Sequence, residues 1–318
     1  MDKITKSIRK DRPNVRDITI KNYIRYLNTL SKNVEDKELT SLKFLEDFDK
    51  VKKYLEGVRL STRKSYIASI LVALRTCGDS CKDVLGKYRL YLLDINKKYE
   101  TDKGDREKTD RENNNWATMK DLHGIREKLY KEVLDNHIPQ KNGLNSKNNT
   151  ILQKYLVASL YTLQPPRRNI YSSVQLINNL DFKKISEEEL RKNYLVYNKP
   201  KTNLFFWFGK QKSKNFKDKD QKVEINKKLK KVLKLWFKFN SDSEYLLTNS
   251  RGGKMTENQL TKYLNKIFKI GDKKISSSMI RKIYITEETS DAHKKIEDTA
   301  KKMGHTPAEA KKSYVKDK

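Results

Sequence analysis

Cysteine is nearly absent: 318 residues hold two, Cys77 and Cys81. They stand four apart with no cluster of cysteine or histidine around them, which excludes a zinc site and reads as free thiols in a reducing compartment. Long apolar runs are missing as well. No stretch of eighteen apolar residues occurs, so no membrane-spanning helix is expected. The opening MDKITKSIRKDR has charges with no apolar stretch behind them, so a secretory signal is not expected either. The expected setting is intracellular. Acidic residues are the third shortage, 41 Asp+Glu against 71 Lys+Arg, for a formal charge of +30. A chain this basic seeks a polyanion, nucleic acid first. Its wealth of Lys, Asn, Ile and Tyr is also what an AT-rich gene encodes, but that bias does not explain the imbalance of sign.

Apolar residues recur at helical spacing through the first hundred positions. Ile20, Tyr23, Ile24, Leu27 and Leu30 make one face, and Leu45, Phe48, Val51 and Leu55 make a second that ends before Gly57. Tyr66, Ile67, Ile70, Leu71 and Leu74 make a third, and Val84, Tyr88, Tyr91, Leu92 and Ile95 a fourth. Four short helices with short connections predict a helical bundle over residues 1–99. The third helix opens with Thr62, Arg63, Lys64 and Ser65. A helix amino terminus adds its free N–H groups and dipole to those two cations, which suits a phosphate; the plainer alternative is a solvated first turn. Residues 100–115, ETDKGDREKTDRENNN, hold no apolar side chain and predict a linker, leaving a second domain over 116–318.

In that second domain Met119, Leu122, Ile125, Leu129 and Val133 predict a helix over about 118–135. Residues 149–163 predict another, apolar on most sides and therefore buried. Gln164-Pro165-Pro166 stops it, and Arg167 and Arg168 follow. Three runs rich in aromatic and branched residues, 194–197, 204–208 and 223–225, predict a small antiparallel sheet in a fold that is mainly α. Between the second and third lies a loop with Lys210, Lys212, Lys214, Lys217, Lys219 and Lys222. Further helices carry Leu229, Val232, Leu233, Trp236 and Phe237, then, behind the capping box Thr256-x-x-Gln259, Leu260, Tyr263, Leu264, Ile267 and Phe268.

The last stretch has the densest pattern. Ser278 and Arg281 stand at the opening of a helix, and a further helix over about 292–303 is expected to end in a left-handed cap at Gly304. Thr306-Pro307-Ala308-Glu309 is a capping box with proline at the first helical position. A helix therefore starts just after His305, and Tyr314 falls about two turns into it. The order Ser278-x-x-Arg281, Gly304-His305 and a tyrosine nine residues later, behind an arginine turn and a lysine-rich hairpin, resembles the tyrosine recombinase (phage integrase-like) family. Within that family it looks most like the integrases of large DNA viruses and their mobile elements. The chain departs from the family pattern at Ser278, where the family has histidine, at Pro166, where it has glycine, and at Ile170 or Tyr171, where it has an acid.

The resemblance implies a four-helix core-binding (SAM-like) domain followed by a tyrosine-recombinase catalytic domain. It implies site-specific cleavage and rejoining of double-stranded DNA through a 3′-phosphotyrosyl bond, by a homo-tetramer on paired sites, with no cofactor. Tyr314 would attack the phosphate, Arg167 and Arg281 would fork onto its oxygens, and His305 would donate to it. Lys212 would protonate the leaving 5′ oxygen, with Lys210 as its alternate and Arg168 as the alternate of Arg167. Ser278 can donate to phosphate or cap its helix but cannot act as a base. Thr62, Arg63, Lys64 and Lys214 are the expected DNA contacts. No carboxylate cluster accompanies these elements, so a two-metal mechanism is not expected. A type IB topoisomerase, a telomere resolvase and a DNA-binding protein that no longer cuts stay open as alternatives.

Overall fold

The computed structural model describes residues 2–104, 108–198, 203–209, 221–304 and 306. The chain divides into two compact units, Met1–Glu107 and Lys108–Lys318. Among the described residues no helix is long and apolar enough to cross a membrane.

The first unit is helical: α1 (Asp2–Asp11), α2 (Asp17–Glu35), α3 (Phe48–Glu56), α4 (Leu60–Arg75) and α5 (Lys82–Gly104). The last four follow the apolar faces read from the sequence. Leu27, Leu30, Leu45, Leu55, Ile67, Ile70 and Tyr88 are fully or almost fully enclosed, and the Tyr88 hydroxyl donates to the Leu45 carbonyl at 3.0 Å. Helix α1 was not expected. Its buried signal is two residues one turn apart, Ile4 and Ile8, too short a pattern to separate from its charged surroundings.

The stretch 100–115, read as a linker, contains the division between the two units, and its described residues are largely helical. Helix α5 continues through Gly104, and α6 (Asp110–Asn115) starts from a capping box in which Thr109 and Glu112 satisfy each other's backbone N–H. Polar composition removed a core face there, but not the means to start a helix. Helix α6 belongs to the second unit. Its Glu112 pairs with Lys282, and Asn115 accepts from the backbone N–H of Lys274.

The second unit continues with α7 (Met119–Asp135) and α8 (Ser146–Thr162), the latter buried along most of its length. After the two prolines come β1 (Val174–Asn178), the short α9 (Asn179–Phe182), β2 (Asn193–Tyr197), β3 (Leu204–Phe208) and β4 (Lys222–Glu224). Then follow α10 (Lys227–Phe239), α11 (Glu257–Ile267) and α12 (Ser277–Lys302). The sheet has four strands in the order β1-β2-β3-β4. It is mixed rather than antiparallel, because β1, absent from the sequence reading, runs parallel to β2 with Val174 opposite Asn193. β2 and β3 pair antiparallel, Asn193 facing Phe208. Leu204, Phe206 and Phe208 point into the core beside Tyr171, while Phe205 and Trp207 meet Phe182 on the other side, the alternation a strand demands.

Helix α12 also differs from expectation. Residues 281–303 were read as two helical segments, and the structure runs them as one helix that ends at Met303, with Gly304 at φ +70°. No proline or glycine interrupts residues 281–303, so nothing in the chain breaks the helix. Ser276 is the residue before its first turn and makes no side-chain cap.

Candidate functional site

The site grows from the end of α8. Pro165 and Pro166 cannot continue the helix, and the chain turns through Arg167 and Arg168 into a short 3₁₀ turn over Asn169–Ser173. Five side-chain hydrogen bonds fix that turn. The Tyr161 hydroxyl donates to the Arg168 carbonyl at 3.2 Å. The Asn169 amide donates to the Glu257 carbonyl at 3.1 Å and to the Thr261 hydroxyl at 2.7 Å, tying the turn to α11. Ser172 and Ser173 donate to the carbonyls of Asn169 and Ile170.

Arg167 and Arg168 leave this turn in different environments. Arg167 is half-buried, with its guanidinium carbon 4.1 Å from the centre of the Phe208 ring. Burial lowers its pKa, and the neighbouring Tyr171 pushes the other way. Tyr171 is one of the two residues, with Ile170, read at the place where an acid was expected. It is fully enclosed, accepts from the Gln164 amide at 3.0 Å and meets Tyr161, Phe206 and Phe208 edge-on. Burial raises its phenol to about 12, so it is neutral at any ordinary pH. Its ring lies beside Arg167 and brings no charge.

Arg168 is exposed. Its charge is felt by Arg281, in the second turn of α12: burial lowers the Arg281 pKa first, Arg168 lowers it further, and Tyr161 opposes both. Arg281 therefore lies within electrostatic range of Arg168 and Tyr161. Among the described residues none of the three guanidinium groups has an ion-pair or hydrogen-bond partner. Arg126, by contrast, bonds His123 Nδ1 at 2.8 Å and pairs with Glu127. Two like charges left near each other without a counter-ion make a ready anion site.

Ser278 lies in the first turn of α12 with its side chain exposed, one turn before Arg281. It does not cap the helix, because that position belongs to Ser276. Gly209, the last described residue before the lysine-rich loop, crosses the backbone of residues 190–192. A Cβ there would sit 1.9 Å from the Leu190 carbonyl oxygen and 2.6 Å from that of Lys192, and the Gly209 N–H donates to the same Lys192 carbonyl at 3.0 Å. The root of the loop is thus fixed directly after Phe208, whose ring carries Arg167. Lys210, Lys212, Lys214, His305 and Tyr314 lie outside the described residues.

A second feature was not found from sequence. A cleft of about 400 Å³ lies between α7, the end of α8 and α12, lined by Met119, His123, Thr162, Gln164, Tyr284, Glu287 and Glu288. Burial and the adjoining Arg126 lower the His123 pKa. Glu287 accepts from the Met119 backbone N–H at 2.7 Å, fastening α12 to the start of α7. A lone histidine on an amphipathic helix carries no sequence signal of this.

In the first unit Thr62, Arg63 and Lys64 occupy the first turn of α4, as expected. Arg63 has local work to do. Its guanidinium donates to the Glu56 carbonyl at 2.6 Å and to the Val58 carbonyl at 3.0 and 3.3 Å, closing the carboxy-terminal end of α3. Beside this turn Tyr26, Tyr54 and Tyr66 meet edge to face, with the Arg25 guanidinium 5.1 Å from the Tyr26 ring centre.

Comparison of the chain with models of known protein families and with curated proteins gave no match.

Proposed function

We propose that the chain is a DNA strand transferase of the tyrosine-recombinase type, with a core-binding unit ahead of a catalytic unit. The observation that carries this reading is the Arg168–Arg281 pair, two cations without a carboxylate partner among the described residues, beside the stacked Arg167. A phosphodiester supplies the missing charge, and its two non-bridging oxygens match two forked donors. The spacing of Gly304, His305 and Tyr314 adds a nucleophile in the expected order.

In this mechanism the Tyr314 oxygen attacks the phosphorus in line, a P–O bond to tyrosine forms and the bond to the 5′ oxygen breaks. The arginines hold the charge that gathers on the non-bridging oxygens. A lysine of the 210–222 loop, Lys212 first and Lys210 second, gives its proton to the leaving oxygen, and the tyrosine proton passes to solvent or to His305. Attack by a free 5′ hydroxyl reverses the step, so the bond energy is kept and no nucleotide is consumed. Acting on paired DNA sites as a tetramer, such an enzyme exchanges strands.

The test is covalent trapping on nicked duplex from the ends of the genetic element that carries the gene. A DNA-linked protein band that leaves a 5′ hydroxyl and vanishes in Tyr314→Phe supports the reading. Tight binding with no adduct overturns it in favour of a DNA-binding protein that does not cut, which the exposed serine at position 278 would then explain.

A further inference from the structure

The outer face of the sheet carries a cluster of rings that the core does not use. Phe182 of α9 meets Tyr194, Phe205 and Trp207 edge-on, with ring centres 5.9, 5.9 and 5.5 Å away. None of the four belongs to the core of the unit, and Phe182, Phe205 and Trp207 are half-buried. Strand alternation turns Phe205 and Trp207 away from Phe208, whose ring carries Arg167, so the cluster lies on the opposite face of the sheet. The Trp207 indole N–H donates to the Leu190 carbonyl at 2.8 Å, which fixes that ring in place.

A cleft of about 470 Å³ opens beside Phe182 and Phe205, a volume that suits a small ligand. Three lysines line it, Lys183, Lys222 and Lys230, against one acid, Glu224. Lys222 is already committed: its ammonium pairs with Glu224 at 2.9 Å and lies 4.9 Å from the centre of the Phe205 ring. Lys183 and Lys230 have no acidic partner among the described residues. Asn179 and Asn203 add carboxamides, each both a donor and an acceptor. Lysines alone would suit any anion, and rings alone any apolar group. A flat polar ring that carries its own phosphate uses all three: its face lies on the aromatic rings, its edge bonds to the amides, and its phosphate meets the ammonium groups. Bases inside a duplex hide their faces in the stack, so such a ligand is unpaired.

We propose that this cleft binds an unpaired nucleotide, with the base against Phe182 and Phe205 and the phosphate on Lys183 and Lys230. The Arg168–Arg281 pair has no part in it, and the inference holds whether or not the chain cuts DNA. The nucleotide is either free in solution or one unit of a single strand, since the cleft meets the same chemistry in both. A strand released from a duplex then has a holding site on the chain that a paired strand lacks.

A chain of charge +30 binds any polyanion, so the test reads what the bases add. Fluorescence anisotropy at one ionic strength compares a labelled oligothymidylate of about eight residues with an abasic strand of the same length and charge. Wild type should favour the strand with bases by about tenfold, within the range of one base stacked on an aromatic ring. Phe182→Leu, which keeps an apolar side chain against Tyr194, should remove most of that preference, with a thermal melt as the check that the unit still folds. Lys183→Glu and Lys230→Glu should each weaken binding of the base-bearing strand several-fold more than Lys128→Glu, the same change of charge at an exposed position of α7. Thymidine 5′-monophosphate added as competitor identifies the source. If it lowers binding of the base-bearing strand to the abasic level, the cleft takes a free nucleotide; if the preference persists, the cleft takes a unit of the strand. Equal affinity of wild type for the two strands overturns the proposal, and so does a preference that survives Phe182→Leu and both lysine variants.

Discussion

Arg168 and Arg281 come from segments more than a hundred residues apart in sequence, yet the charge of the first depresses the pKa of the second. Neither has a carboxylate partner among the described residues. A partly buried arginine held in repulsion with a second one gains most from a ligand that brings negative charge.

Sulfate should therefore stabilise the second unit. Mass action predicts about 2.7 kcal/mol at a hundred times the dissociation constant, or about 5–10 °C in Tm for a unit of this size. Arg168→Ala and Arg281→Ala should each abolish most of that gain in a thermal melt at matched ionic strength, while leaving Tm without sulfate unchanged or slightly higher. In adduct formation each should cost ~10²–10³-fold. Arg167→Ala should behave differently, lowering Tm without sulfate because it uncovers Phe208. An equal sulfate response in wild type and both variants would mean that the pair does not bind the anion.

Gly209→Ala should lower the stability of the second unit. The added methyl meets the backbone of residues 190–192 rather than the end of a flexible side chain. Forced overpacking of this kind costs roughly 1–3 kcal/mol, a drop of about 3–10 °C. A melt indistinguishable from wild type would show that the loop root is free to shift.

The first turn of α4 separates structure from binding. Arg63→Ala removes three hydrogen bonds to carbonyls at the end of α3 and should destabilise the first unit by about 1 kcal/mol, visible as a lower urea midpoint. Lys64→Ala should instead reduce the salt dependence of DNA binding by about one unit of slope. The opposite pattern would make Arg63 the phosphate contact.

His123 gives a pH signature. Its pKa in the folded chain lies below the ordinary value of about 6.5, which holds in the unfolded chain. The unfolded state therefore takes up its proton first as pH falls. The contribution of neutral His123 is fully present above about 6.5 and is lost as pH falls from there through the folded pKa. His123→Gln should flatten the decline of Tm over that interval. An unchanged slope would mean that other groups set the acid limit.

The sequence made much of this fold legible where local rules and burial agreed. The Thr256–Gln259 capping box starts α11 as expected, β3 spans the expected residues, and Gly304 has the positive φ that its place after a helix implied. β1 escaped because VQLIN is half-exposed and pairs in parallel with a strand that lies beyond an intervening helix, so no hairpin signal marks it. The continuity of α12 escaped because TEETSDAHKK has no apolar face to count. At the site, two adjacent arginines after a proline pair could be read, but not which of them meets Arg281. That choice depends on the extended backbone of Arg168 and on Phe208 having claimed Arg167, and both are set by residues far along the chain.

The sheet offers little for another molecule to extend. On one side the backbone of Glu244 and Leu246 bonds to Leu176 and Val174, covering β1. On the other, β4 is three residues long, with Lys222 and Glu224 exposed. A short, charged edge is a poor template for an added strand. Copies of this chain held at high local concentration should therefore resist merging strand to strand through the described edges of this sheet.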